Sequence, residues 1–136
     1  MKKQNIILIF LLFSFLKTFS QDKLNVTDFL DVTLCGKFGI ITDKQLTYLI
    51  GDLNNCDWKI STVDPSYVVT EFKITIIPKD NSKGIHEYEI KSNMIPEKYR
   101  NDILTLSKRV FVEYIKAEKK KGDRIPVKPF VIQVEY

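Results

Sequence analysis

The chain has 136 residues, of which 44% are hydrophobic and 28% charged, and it carries 21 basic against 17 acidic side chains. This composition predicts one packed domain and excludes a disordered tail. The only dense basic run, residues 119–121, is too short to predict a surface for nucleic acid or for anionic membranes.

Residues 1–20 have the pattern of a secretory signal peptide. A basic start precedes an apolar run that ends at Lys17, after roughly a dozen residues, whereas a membrane-spanning helix needs about 20. Thr18 and Ser20 are small residues at the two positions where cleavage of a signal peptide before Gln21 requires them. We therefore predict a periplasmic or secreted protein with no membrane insertion after cleavage. The cleaved chain would have 18 basic against 17 acidic residues, so its charge indicates no class of partner.

Residues 21–41 are expected to form a loosely ordered lead-in to a domain over residues 42–136. Residues 34–41 contain two glycines and fit either a short strand or a turn. The chain has two cysteines, Cys35 and Cys56. In an exported chain such a pair predicts a disulfide, with two buried free thiols as the alternative. Two cysteines so far apart match no zinc pattern, and we predict neither a metal nor a cofactor.

The first helix is predicted to begin at Thr42. The sequence Thr-Asp-Lys-Gln at that point has the pattern of a capping box. Apolar residues then recur at helical spacing, at Leu46, Leu49, Ile50 and Leu53. Asparagines that favour a turn would end this short helix.

The clearest strand is predicted over residues 67–77, after an extended segment at residues 56–60 and a turn at residues 64–66. Its side chains alternate between apolar and polar with the period of a half-buried strand. The apolar face would hold Val68, Phe72, Ile74 and Ile76, and the polar face Glu71, Lys73 and Thr75. A loop over residues 78–84 would lead to an antiparallel partner strand at residues 86–90.

The rest of the chain predicts a helix and a second hairpin. The helix would begin near Pro96 and bury Ile95, Tyr99, Ile103 and Leu106, with Leu104 widening the apolar face. Residues 110–117 would form the third strand, followed by a charged turn around Gly122. The fourth strand, residues 126–136, would begin at a sheet edge because of Pro126 and Pro129 and bury Phe130, Ile132, Val134 and Tyr136. This order predicts an α+β fold, a mainly antiparallel sheet with one or two short helices packed on it.

No catalytic set is predicted. His86 is the single histidine, and it lies in a strand with no nucleophile motif to accompany it. Glu87 and Glu89 share a face, as a glycosidase pair would, although a solvated strand face is the simpler interpretation. Trp58 would suit a sugar-stacking site, but a lone Trp beside a disulfide is more often core. We predict a protein that is not an enzyme, with a small secreted enzyme or enzyme inhibitor built on the His86, Glu87 and Glu89 face as the alternative.

Six segments carry a family resemblance: residues 46–50, 57–58, 68–74, 110–117, 122–124 and 130–132. Together they resemble the C-terminal domain of GldM, the periplasmic shaft protein of the gliding-motility and type IX secretion machinery of Bacteroidetes. The likeness spans roughly residues 45–136. The Phe-Ser-Gln end of the signal also resembles secreted proteins of that phylum.

The resemblance implies an exported protein-interaction module whose partners are other periplasmic or cell-envelope proteins. An accessory role in gliding motility or type IX secretion is one interpretation. No catalytic residue is carried over, because the family domain is not an enzyme. This sequence departs from the shaft protein in lacking an uncut membrane helix and preceding domains, and it has Ser107 and Lys108 where the family tends to have a glycine. The resemblance does not imply motor coupling. A sheet edge or the helix face near Tyr99 would form the binding surface.

Overall fold

The fold is given by a computed structural model, which describes residues 29–42, 44–53, 55–119 and 122–134. The predicted signal peptide, its cleavage site and the first part of the lead-in lie outside these residues. The described strands are β1 (Val32–Leu34), β2 (Ile40–Thr42), β3 (Gln45–Leu49), β4 (Ile60–Thr62), β5 (Tyr67–Pro78), β6 (His86–Ile90), β7 (Ser107–Lys119), β8 (Arg124–Pro126) and β9 (Phe130–Gln133). The helix α1 spans Glu97–Thr105, and two short 3-10 helices span Ile50–Leu53 and Asn81–Lys83.

Seven strands form one mixed sheet in the order β2-β3-β9-β7-β5-β6, with β8 paired to the free part of β7. All of its pairings are antiparallel except that of β3 with β9. Strands β1 and β4 form a separate antiparallel pair. The predicted α+β fold, with a mainly antiparallel sheet and a packed helix, is therefore confirmed.

The hydrophobic core lies between one face of the large sheet, the small sheet and α1. Its fully buried members come from all three parts: Val32, Leu34 and Ile60 from the small sheet, Phe72, Ile74, Val110, Val112, Phe130 and Ile132 from the large sheet, and Ile95 and Ile103 from α1 and the residues before it. Each such side chain contributes about 1.5–3 kcal/mol by leaving water. The core therefore ties the small sheet and the helix to the same face of the large sheet.

Tyr48 of β3 connects the two sheets. Its hydroxyl donates a hydrogen bond of 2.9 Å to the carbonyl of Val32 in β1, and its ring meets that of Phe130 edge to face with centroids 4.9 Å apart. Burial raises the pKa of Tyr48 to about 12, with smaller opposing contributions from backbone hydrogen bonds. Because a buried hydroxyl must keep its partner, this bond fixes β1 against β3.

The β5–β6 hairpin is the most accurately predicted element. Strand β5 pairs antiparallel with β6, and the predicted loop contains a 3-10 turn that begins after Asp80. The apolar residues of β5 after Glu71 are buried as predicted, but Val68 is exposed and Val69 is buried in its place. A bulge between Val69 and Glu71 inserts an extra residue and reverses the facing of the start of the strand.

The helix predicted from Thr42 is wrong, because this stretch forms the β2–β3 hairpin. Thr42 pairs with Gln45 across a two-residue turn, and Lys44 has a φ of 66°, as such turns require. Thr47 and Tyr48 point to opposite faces of β3, and both are buried. A strand that is covered on both faces does not show the period of two, so its apolar spacing resembled that of a helix.

The lead-in is ordered from Val32 onward, which corrects the expectation of a loose segment. Strand β1 is completely buried and pairs with β4, and a tight turn joins Leu34 to Lys37. The segment over residues 56–60, predicted to be extended, is extended only at its end, because Trp58 has a φ of 59°. These short elements have too few residues to show a period.

The last predicted strand is in fact two strands. Among the described strands, β8 pairs with β7 alone, and the backbone N–H of Leu30 also donates to the carbonyl of Pro126. Strand β9 lies between β3 and β7 inside the sheet. The edge position predicted for the start of this segment is therefore correct for β8, and Pro129 lies in the connection that carries the chain from β8 to β9. Val131 is buried along with its neighbours in β9, and Tyr136 lies outside the described residues. The predicted charged turn is present, with Gly122 at a φ of 84°.

The predicted helix is present as α1, with Pro96 at its N-cap. Its inward face holds Ile103, which is fully buried, and Tyr99, which is half-buried. Leu104 and Leu106 were expected on the same face but are exposed. The helix ends at Thr105, so Leu104 lies in its last turn and Leu106 is its C-cap residue.

Candidate functional site

Within the described part of the chain, the large sheet has two edge strands, β2 and β6, which lie at opposite ends of the strand order. An edge strand presents backbone N–H and C=O groups that no neighbouring strand pairs, so natural proteins usually protect edges with charged residues, prolines or bulges. Strand β6 carries two outward glutamates, whereas β2 consists of two isoleucines and a threonine. The two edges therefore differ in how well they are protected against another strand.

Strand β2 and the residue pair before it present an apolar surface, which we call the β2 edge patch and define as Phe38, Ile40 and Ile41. Their exposed fractions are 71%, 55% and 78%. Ile40 and Ile41 are neighbours in a strand and so project from opposite faces of the sheet. Exposed apolar residues grouped in this way mark interaction surfaces.

Gly39 allows β2 to lie close against β3. A Cβ at this position would stand 2.8 Å from Cδ1 of Leu46 and 2.9 Å from the carbonyl oxygen of Thr47. The second contact is with backbone, which cannot rotate away. Glycine is therefore the residue that permits the hairpin to close next to the β2 edge patch.

The start of β2 is anchored by the predicted disulfide, which the structure contains. Cys35 and Cys56 are bonded, with their Cα atoms 5.1 Å apart, and Lys37 donates a hydrogen bond to the carbonyl of Asp52. Disulfides persist in oxidising compartments, as expected of an exported protein. These two contacts hold the chain before β2, and the turn to β3 holds it after Thr42. The edge is therefore ordered before any partner arrives, which lowers the entropic cost of binding.

The polar residues of β6 do not form the common face that the enzyme alternative requires. Glu87 forms an ion pair of 2.7 Å with Lys73, and this hydrogen bond holds the pKa of the lysine above its usual value. His86 projects from the opposite face of the strand and stacks beside Tyr88, with ring centroids 6.5 Å apart. Glu89 shares the face of Glu87 rather than that of His86.

The sugar-stacking site that Trp58 would suit is not formed. Trp58 is buried in the core, so its ring is not available to stack on a sugar. Among the residues that the structure describes, no group of three His, Cys, Asp or Glu side chains lies close enough to hold a metal ion.

Tyr114 is a feature that sequence analysis missed. It has a φ of 52° in the middle of β7, where a bulge interrupts the pairing with β5, and its side chain is 74% exposed. The Nζ of Lys73 lies 5.7 Å from its ring centroid. Left-handed backbone costs a residue other than glycine about 1–2 kcal/mol. No local pattern distinguishes this tyrosine from an ordinary strand residue.

Replacing Tyr114 with glycine is expected to raise the free energy of unfolding by about 1 kcal/mol, because glycine has no Cβ to strain at positive φ. Tyr114→Ala keeps that strain and loses the contact with Lys73, so it should be less stable than the glycine variant. Urea denaturation of both proteins measures the difference. Equal midpoints for the two variants would show that the bulge stores no strain.

Comparison of the chain with protein-family models, with curated proteins and with solved structures finds no match. Within the described part of the chain, no helix has the length and apolar character needed to cross a membrane. The β2 edge patch is the surface whose geometry indicates a function most directly.

Proposed function

We propose that this chain is an exported, non-enzymatic interaction module that binds other cell-envelope proteins. The partner would contribute an extended segment, which pairs as an additional strand beside β2. The observation that carries this proposal is an ordered edge strand with no charged residue and with two isoleucines more than half exposed.

Strand addition would use both the backbone groups and the side chains of β2. The outward N–H and C=O groups would bond the backbone of the partner, and side chains on the two faces would contact alternate residues of its strand. Phe38 extends the apolar contact beyond the first residue of β2. By itself a three-residue edge buries far less than the roughly 1,200 Å² of a stable interface. We therefore expect reversible binding that selects segments rich in apolar and β-branched residues.

The compartment and the partner class rest on different observations. The signal-peptide pattern and the disulfide support a periplasmic or secreted location. The resemblance to the C-terminal domain of GldM is the sole support for a partner in the gliding-motility or type IX secretion machinery. Binding at β2 does not depend on that resemblance.

Ile41→Lys is expected to abolish partner binding without unfolding the protein, because the side chain is exposed and the new charge would face an apolar partner strand. The matched control is Val68→Lys, which places the same charge on an exposed valine of β5. The free energy of unfolding of both variants should stay within about 0.5 kcal/mol of that of the original protein.

Affinity capture from a cell-envelope extract of the host, followed by binding assays with the purified partner, measures the effect. The amide of Ile41 should also exchange its hydrogen more slowly in the complex. Equal binding by the Ile41→Lys protein, or unchanged exchange at Ile41, would contradict strand addition at β2.

A further inference from the structure

A cavity of about 150 Å³ lies at the opposite end of the sheet from the β2 edge patch. It opens between β6, the connection that precedes β6, and the last turn of α1. Its floor is formed by Ile76 and Pro78, both of which are buried in β5. Leu106 forms one wall, and its side chain is partly exposed to solvent. The floor and one wall of the cavity are therefore apolar.

The opposite wall is an ordered row of aromatic rings. Tyr88 lines the cavity, and its ring stacks on Tyr99 of α1 with centroids 4.2 Å apart. The ring of His86 lies nearly parallel to that of Tyr88, at an interplanar angle of 3°. Lys98 covers Tyr99, with its Nζ 4.6 Å from the ring centroid. These contacts fix the orientation of Tyr88, so the aromatic wall exists before any ligand binds.

Polar groups stand around this apolar interior. Asp102, His86 and Lys83 all line the cavity. Within the described residues, neither the carboxylate of Asp102 nor the imidazole of His86 has a hydrogen bond or an ion pair. An apolar pocket with a few convergent polar groups is the usual form of a site for a small ligand.

We propose that this cavity binds one aromatic ring that carries a hydrogen-bond donor, of which a phenol is the simplest example. A cavity of this volume accommodates a single benzene-sized ring. The ring would stack offset or edge-on against Tyr88, and its hydroxyl would donate to Asp102, which makes a charge-assisted hydrogen bond. The phenol could belong to a free compound or to a tyrosine side chain of a partner. This site is independent of the strand addition proposed at β2.

The first test uses p-cresol, which is the side chain of tyrosine, and toluene, which lacks the hydroxyl. In NMR titrations of the disulfide-bonded protein, p-cresol should shift the resonances of His86 and Tyr88 saturably, and toluene should bind about tenfold more weakly, the effect of losing one hydrogen bond to a charged group. Asp102→Asn should remove most of this preference. No saturable shift with millimolar p-cresol, or equal affinity for the two compounds, would overturn the proposal.

The second test fills the cavity. Leu106→Trp should abolish the p-cresol shifts. Leu104→Trp should leave them unchanged, because Leu104 lies two residues earlier, is similarly exposed and does not line the cavity. Shifts that persist in the Leu106→Trp protein would place binding elsewhere and refute the site. Titration with N-acetyltyrosinamide then separates the two sources of the ring. Affinity similar to that of p-cresol would assign the pocket to a tyrosine side chain, and binding of p-cresol alone would assign it to a free phenol.

Discussion

Phe72→Ala is expected to lower the free energy of unfolding by about 3–5 kcal/mol, the range for truncating a buried aromatic residue. Phe72 lies in β5 opposite Ile90 of β6 and is 1% exposed. Its removal would leave a cavity where the large sheet, the helix and the small sheet share their core. Since domains are stable by only about 5–15 kcal/mol, this single change would consume much of the total. Urea denaturation followed by circular dichroism measures it.

The matched control for this prediction is Phe38→Ala, the same substitution at an exposed position of the β2 edge patch. Its effect on stability should stay within about 0.5 kcal/mol, while partner binding should weaken. The two phenylalanines would thus separate folding from binding. Similar shifts of the denaturation midpoint in both proteins would show that the core has been assigned to the wrong face of the sheet.

The elements that could be predicted are those with one face in the core and one in water. Strands β5 and β6 alternate visibly, and α1 follows Pro96 with a buried apolar face. Strand β3 could not be predicted, because Thr47 and Tyr48 are covered from both sides and the local pattern loses its period. The reversed facing of Val68 shows a second limit, since a bulge leaves no mark in the alternation of side chains.

The candidate sites were less predictable than the fold. The sequence from Phe38 to Ile41 is mostly apolar, and such a run is ordinarily taken as buried. Its exposure follows from the position of β2 at the end of the strand order, which depends on the parallel pairing of β3 with β9, more than 80 residues apart in the chain. The cavity beside His86 similarly joins β5, β6 and the end of α1. The β2 edge arises from long-range pairing, and the cavity arises from the placement of the end of α1 against the β5–β6 hairpin, and no local pattern records either.

The contrast between the two edges strengthens the case for binding at β2. Strand β6 has Glu87 and Glu89 facing outward, the kind of protection that keeps edges from pairing with other chains. An unprotected β2 would expose the protein to aggregation unless the edge served a partner. The β6 edge of the sheet thus carries protecting charges, whereas the β2 edge has no charged residue.

Removing the Cys35–Cys56 disulfide is expected to lower the free energy of unfolding by about 3 kcal/mol, because the bridge restricts the unfolded chain over a separation of 21 residues. The loop that it closes contains the whole β2–β3 hairpin. Loss of the bridge should therefore also loosen the β2 edge patch and weaken partner binding, even under conditions where the rest of the sheet remains folded.

The double variant Cys35→Ser/Cys56→Ser provides the measurement, since a single substitution would leave a reactive thiol. The backbone N–H of Trp58 donates to the sulfur of Cys56 at 3.2 Å, so the fluorescence of this buried tryptophan reports on the bridge region as well as on global unfolding. Reductant should destabilise the original protein and leave the double variant unaffected, which separates the bond itself from the serine substitutions. Equal unfolding midpoints for the oxidised protein and the double variant, or alkylation of both thiols in the oxidised, denatured protein, would show that the bridge contributes no stability. Loss of binding without loss of the folded sheet would instead locate the role of the disulfide in holding the β2 edge ready for its partner.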